Sequence, residues 1–528
     1  MIGQRTATIG FALTVIVAIG LSTGAAWAQN TIRWAAQGDA LTLDPHAHNE
    51  GPTLALARQI HESLVQRDAD LNLIPGLATD WRLVEPDIWE FDLRRDVTFH
   101  GGQTFTAQDV VFSLDRARSD NSDVKSYLDS VERVEAVDRH TIRIHTAGPN
   151  PILPDQLTEI YIMSAAWARE NDAERPVDRG SNMESYATRH ANGTGPFRVT
   201  KRQPDILTVL DRHAGWWGLD RPDAHNIDRI EYTPIGNAPT RVAALLSGKV
   251  DVLTDTPVQD IERLKRTNDI SVQQTLEVRT IFLGLNVDDA ALASSDVTGA
   301  NPLADRRVRR ALYHAINAKA LQRVVMRGLA EPAGIVGPPQ IRGYSKRLDQ
   351  RLPFDPDQAK VLLAEAGYPD GFSLRLDCPN NRYVKDESIC QAIVGMLARI
   401  GVTARLESVP KSQHFPKIEQ RTTDFYLLGW GVPTLDSEYI FDFLARSDGP
   451  WNATGWADPE FDALVDKIAV ETDQEQRVAL MHRAWERLKE ATVYLPLHHQ
   501  MITWAMADRI DLPIQGDNQP QFRYARVD

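Results

Sequence analysis

Two hydrophobic periods run through the chain. Thr141-Ile142-Arg143-Ile144-His145 and Ser373 to Asp377 alternate apolar and polar positions, the spacing of a half-buried strand. Phe425-Tyr426-Leu427-Leu428 is a continuous apolar run that reads as a buried strand, with Gly429-Trp430-Gly431 as the loop leaving its end. Elsewhere the period is helical. Asp305 is placed to cap a helix carrying Val308, Ala311, Leu312, Ala315 and Ile316 on one face, Asn317 reads as a second cap, and Gly328 as a stop. Asp355-Pro356 pairs a cap with proline in the first turn, and that helix runs through Leu362 and Leu363 to Gly367. Ser388 to Ile400 carries Ile389, Ile393, Met396, Leu397 and Ile400 at helical spacing before Gly401. This alternation continues along the chain with no repeat of about 20–50 residues, so the pattern predicts a mixed α/β protein and no solenoid. At 528 residues, two or three domains are expected. No low-complexity linker separates them, which points to domains that interleave.

The first residues add a compartment. Arg5, the uncharged run Ile9 to Leu21 and the small residues of Ala26-Trp27-Ala28 form the three parts of a secretory signal, predicted to occupy residues 1–28. The run is short of the ~20 residues needed to cross a bilayer. The expected destination is the periplasm. Export changes the reading of Cys378 and Cys390: one ends a predicted strand and the other sits in the first turn of the next predicted helix, so a disulfide is expected in an oxidising compartment, with two buried thiols as the alternative. A net charge of −14 repels nucleic acid and anionic lipid, so no nucleic-acid partner is expected.

Catalytic motifs fail on inspection. Gly248-Lys249 lacks the upstream glycine of a phosphate loop, since position 243 is Ala. His61-Glu62 opens a zinc-protease pattern, but Val65 stands where the second histidine belongs. Gly343-Tyr344-Ser345 is followed by Arg347 instead of the second glycine of a nucleophile elbow. Ser119-Asp120-Asn121 and Ser122-Asp123-Val124-Lys125 match two penicillin-recognising motifs but abut in one polar segment, and read as a solvated loop. His46, His48 and the His498-His499 pair lack neighbouring ligands at metal spacing. No catalytic residue, metal or cofactor is expected.

An ordered set of motifs remains. Glu62 to Val65, Pro75 to Trp81, Trp89 to Arg94, Phe99 to Gly102 and Asp109 to Ser113 are followed by Gly193-Thr194-Gly195-Pro196-Phe197 and Trp216-Trp217-Gly218. Gly248 to Asp251, Arg307 to Leu312, Leu362 to Phe372 and Leu427 to Asp436 complete the order. Together these resemble the extracytoplasmic solute-binding proteins of the peptide/nickel class, solute-binding family 5, the receptors of ABC importers. The resemblance implies a two-lobed periplasmic-binding-protein type II fold with an extra α/β subdomain in the first lobe. By analogy lobe I holds residues 29–283 and 500–528, with the inserted subdomain at about 50–190, and lobe II holds 284–499. A non-enzymatic monomer is expected, which captures a small peptide-like ligand and delivers it to inner-membrane permease and ATPase subunits.

Within that resemblance Trp430 is expected to face the ligand, because ligands of open α/β sheets collect at the carboxyl ends of strands. Peptide receptors of the family place an Asp three residues after this Trp, and here that position is Pro433. Asp436 or Glu438 is the expected substitute for binding an α-ammonium. Arg382 is the candidate for a ligand carboxylate, with Tyr383 beside it. His46, His48 and Asn49 are candidates from the segment after the first strand. Trp81, Trp89 and Phe91 are expected in the core, and Trp216 and Trp217 to pack. A nickel-chelate, opine or other small-solute receptor is the alternative ligand reading, favoured by the Trp-Gly-x-Pro pattern. A secreted hydrolase or penicillin-recognising enzyme is the alternative of another class.

Overall fold

The computed structural model describes residues 30–178 and 183–528, so the expected signal segment lies outside the described residues. The architecture is mixed α/β. Its backbone is an eleven-stranded sheet, organised around two long antiparallel strands, Ile270–Leu285 and Tyr494–Ala507. On one side of this pair the order continues through Val252–Leu253, Thr31–Ala36, Arg229–Pro234, Leu207–Arg212 and Phe197–Gln203. On the other it continues through Phe425–Gly431, Ser373–Pro379 and Thr403–Val409. Early and late segments thus share one sheet.

The two long strands pair from Ile270–Leu276 with Met501–Ala507 and again from Thr280–Gly284 with Tyr494–His499. Between these stretches the register shifts, leaving Glu277, Val278 and Arg279 opposite Gln500. A ladder break of this kind bends the strands and raises local twist. It falls where the strands leave one set of neighbours and enter the other.

Helices cover both faces of the second half. Arg306–Ala315, Pro356–Glu365 and Asp386–Ala398 bury Leu312, Leu363 and Ile393 against one face. Pro459–Val470 and Gln474–Ala491 bury Phe461, Val465 and Trp485 against the other. Their starts follow the predicted caps: Asp305 accepts from the Arg307 amide, Asn317 from the Ala320 amide and Asp355 from the Gln358 amide. Gly328 takes φ +91°, as a stop requires.

A separate four-stranded sheet, Ala78–Glu85, Ile88–Leu93, Thr141–Thr146 and Val131–Asp138 in that order, packs on helix Ala107–Ala117. Phe91 is fully buried there, while Trp81 and Trp89 are partly buried against the same core. The Gly193–Phe197 turn lies against the end of helix Gly51–Ile60. The Gly195 amide donates to the Ile60 carbonyl, and a Cβ at Gly193 would stand 2.0 Å from that oxygen. Only glycine fits this approach.

Three local expectations need correction. Trp430 does not lie in a loop: the strand extends through Gly431, with Trp430 opposite Thr280, because Ile270–Leu285 supplies hydrogen-bond partners to its end. The helix expected from Ser388 begins at Asp386, placing Cys390 in its second turn. His46 does not reach outward. It is fully buried, with Nε2 on the Tyr161 carbonyl at 2.8 Å and Nδ1 3.0 Å from the Arg116 guanidinium.

Candidate functional site

The end of strand Phe425–Gly431 gathers most of the candidate residues. On one face of it, Trp430 heads an aromatic group: its ring lies 5.9 Å from Tyr439, 6.3 Å from Phe443 and 5.6 Å from Trp451. Helix Ser437–Ile440 carries Tyr439 back under the strand's end. Trp430 is partly exposed, yet its indole Nε1 is buried and has no hydrogen-bond partner among the described residues. An indole N–H can only donate, so the position calls for an acceptor.

On the other face lie two guanidinium groups and a phenol ring. Arg382 stands 5.1 Å and Arg279 5.9 Å from the ring centre of Tyr383. The Tyr383 hydroxyl donates to the Gly429 carbonyl at 3.1 Å, and the Arg279 Nη1 reaches the same oxygen at 3.4 Å. The missing side chains of Gly429 and Gly431 make this room. A Cβ at Gly429 would meet the Tyr383 ring at 2.8 Å, and one at Gly431 would meet the Arg279 guanidinium at 3.2 Å. Arg279 pairs with the buried Glu277 at 3.0 Å. Among the described residues Arg382 forms no ion pair, its hydrogen bond being from the backbone amide to Asp386. Burial, then the nearby Arg279 charge, holds the Arg382 guanidinium below its ordinary pKa.

The early segment faces this strand end. Asn49 is exposed and donates to the Tyr127 hydroxyl at 3.2 Å, and Tyr127 stacks on Tyr439 with ring centres 6.2 Å apart. His48 is half-buried beside it. Trp430, Tyr383, Arg382 and Asn49 are thus brought into one neighbourhood from three separate stretches of chain. Arg279, Tyr439 and Tyr127 join them without having been singled out by the sequence. A signal existed for Arg279: it is the one charge in the mostly apolar stretch Val278 to Leu285.

Asp436 and Glu438 require a correction. They are not free carboxylates awaiting an ammonium. Asp436 caps helix Ser437–Ile440, is fully buried, and receives Arg477 at 2.6 and 3.1 Å and Arg342 at 2.9 Å. Glu438 binds the same Arg477. Burial raises the Glu438 pKa against the pull of that guanidinium. Pro433 therefore has no acidic substitute in this loop.

Beyond the loop, charges join the two halves of the molecule. Asp155, from the segment after the four-stranded sheet, binds Arg67 at 2.9 Å and lies 3.6 Å from Arg342, while Arg67 also donates to the Thr434 carbonyl at 3.2 Å. Further into the first half, a small polar pocket is lined by Arg58, His61, Glu62, Arg67, Glu159 and their neighbours. Glu62 there accepts from both the Trp216 and Trp217 indoles, at 3.2 and 3.0 Å, so that these tryptophans pack around a buried acid. Cys378 and Cys390 are joined, with Cα atoms 6.6 Å apart, and fix the helix that follows Arg382 and Tyr383 to strand Ser373–Pro379. Among the described residues, no three His, Cys, Asp or Glu side chains converge as metal ligands would. No described helix is long and apolar enough to cross a membrane.

Comparison with known proteins settles the family. The model of bacterial extracellular solute-binding proteins, family 5, matches residues 72–452, more than half of the chain. This protein belongs to that family. It is a solute-binding protein of the class that serves ABC importers, and its relatives are binding proteins and not enzymes. It is 26% identical over 490 residues to the glutathione-binding protein GsiB of Salmonella choleraesuis, covering 88% of this chain and 90% of GsiB. Two solved structures share the fold. The ABC transporter-associated periplasmic binding protein DppA of Helicobacter pylori, in complex with the peptide STSA, aligns with TM-score 0.77 at 24% identity over 94% of this chain and 98% of DppA. NikZ of Campylobacter jejuni, in complex with Ni(L-His), aligns with TM-score 0.77 at 19% identity over 92% and 95%. The fold is the two-lobed type II fold of periplasmic binding proteins, with the four-stranded sheet as the extra α/β subdomain.

Proposed function

We propose that this family 5 receptor captures a peptide-like solute carrying a carboxylate, between its lobes and outside the inner membrane, and hands it to an ABC permease. The observation that carries the reading is Arg382, a guanidinium in the neighbourhood of Trp430 with no ion-pair partner among the described residues. A planar fork of donors matches a carboxylate bidentately. Trp430 offers an aromatic wall and one indole donor, the usual mixture of a solute pocket. GsiB and the H. pylori DppA support a peptide-like cargo, since glutathione and a tetrapeptide are what their descriptions give them.

In this reading residues 29–283 and 500–528 form lobe I, residues 284–499 form lobe II, and the receptor acts as a monomer. The hinge is the ladder break of Glu277 to Arg279 opposite Gln500. Ligand shifts the lobes toward closure because it touches both of them at once, and only the closed form presents the docking surface. Residues 1–28 direct export and are then removed.

Native mass spectrometry of protein purified without refolding, followed by a thermal-shift panel of short peptides, tests the reading. The expected result is a retained mass of peptide-like size, and a stabilisation of about 2.7 kcal/mol at 100 times the Kd. Retained cargo without a carboxylate, or stabilisation by sugars alone, overturns it.

A further inference from the structure

The acids and bases of the candidate site are not balanced in availability. Both acids of the loop after Trp430 are occupied: Asp436 by Arg477 and Arg342, Glu438 by Arg477. The free polar groups at the strand end itself are donors, while the buried Glu159, whose charge reaches Tyr127 and Tyr439, lies in the field of Arg58 and Arg67. Among the described residues Arg382 has no carboxylate within 4.0 Å, and the buried Trp430 Nε1 has no acceptor. Arg279 adds a second guanidinium beside the same phenol ring, and its partner Glu277 is shared with the Gln500 amide. Glu50, next to Asn49, is the remaining acid of the facing segment. It accepts from the Thr53 hydroxyl at 2.9 Å and stands at the N-terminus of helix Gly51–Ile60, where a carboxylate is already favoured.

From this imbalance we infer that the receptor selects its cargo by negative charge alone: Arg382 and Arg279 read a carboxylate, and the cargo's amine, blocked or missing, is not read. The inference rests on the carboxylate-binding reading above and narrows its substrate class. A buried donor left without an acceptor is costly, about 1–3 kcal/mol, and more for a charged group. Cargo lacking the anion therefore loses heavily. Cargo lacking a free ammonium loses little, because no unpaired acid in the loop waits for it. N-acylated amino acids and peptides, and amine-free carboxylates, are the chemical class that fits.

The test is calorimetry on the full mature protein with four probes: Ala-Phe, N-acetyl-Ala-Phe, Ala-Phe-amide and 3-phenylpropionate. The expected result is that N-acetyl-Ala-Phe binds within threefold of Ala-Phe or tighter, and that the amide binds at least 30-fold more weakly. Arg382→Gln, which breaks no ion pair among the described residues, should weaken the acetylated probe by tenfold or more, with unchanged circular dichroism and melting. Glu50→Gln should leave Ala-Phe binding within threefold. Tenfold tighter binding of Ala-Phe than of its acetylated form, lost in Glu50→Gln, overturns the inference while leaving the peptide-receptor reading intact. Equal binding of the amide and the acid also overturns it. Binding of 3-phenylpropionate through Arg382, with all three peptides silent, sinks the peptide reading and keeps the anion inference. Silence of all four probes, beside stabilisation by a neutral or cationic solute, overturns both.

Discussion

Trp430 combines an apolar wall with an unsatisfied indole donor, and Asp436, six residues on, has the opposite character: dry, fully paired and out of reach. The two should respond differently to substitution. Trp430→Ala removes stacking worth about 0.5–1.5 kcal/mol for an aromatic contact, together with one donor. Cargo should bind roughly 3- to 10-fold more weakly in calorimetry, with little change in melting. Asp436→Asn leaves Arg477 and Arg342 facing a neutral amide in a site where Arg477 and Asp436 are both fully buried. Breaking such a pair costs about 3–5 kcal/mol. The urea midpoint should fall accordingly, and the protein that remains folded should keep its affinity. Lost affinity at unchanged stability would return Asp436 to the ligand.

At the scale of elements, strand Phe425–Gly431 and helix Asp386–Ala398 set the site between them. The disulfide ties the helix to strand Ser373–Pro379 just outside the Arg382–Tyr383 turn. Replacing both cysteines by serine should cost about 2–5 kcal/mol, read as a lowered denaturant midpoint that reducing agent reproduces in the wild type. The same turn is where sequence reading stopped short. Alternation and caps gave the strand and the helices, because both are local properties. They could not extend the strand to Trp430, because its last pairs are made by Ile270–Leu285, more than a hundred residues earlier. Periodicity likewise had no means to mark Arg279, whose role is set by the missing side chains of Gly429 and Gly431 across the ladder.

At the scale of the molecule, Asp155 sits between Arg67 and Arg342, which the proposed division puts in different lobes, and Arg67 reaches the Thr434 carbonyl. If the lobes divide as proposed, opening them separates these groups. Asp155→Asn should therefore shift the unliganded protein toward the open form, seen as a larger radius of gyration in small-angle scattering and a several-fold loss of affinity. An unchanged scattering profile would remove Asp155 from closure. Acid should act differently. His46, His61 and His498 are buried, and burial holds them neutral, with pKa values pushed down to about 3, about 4 and about 3. Their unfolded value is about 6.5, so the unfolded chain binds more protons at any pH between the two values. The stability they contribute is complete above about pH 6.5 and declines below it, by up to about 1.4 kcal/mol per pH unit for each histidine. Urea titrations at pH 7 and pH 5 should show this loss, and His46→Gln should flatten part of the slope.

The sequence by itself determined the kind of elements, their caps, the disulfide-forming pair and the ordered motifs of the family, since each is written in neighbouring residues or in their order. Tertiary structure decided which charges meet. Arg477 lies 41 residues from Asp436 and Arg342 lies 94 from it, and only folding makes them neighbours. Whether an acid is free to bind a solute depends on partners that Coulomb attraction and dehydration select in three dimensions. No spacing along the chain encodes that choice.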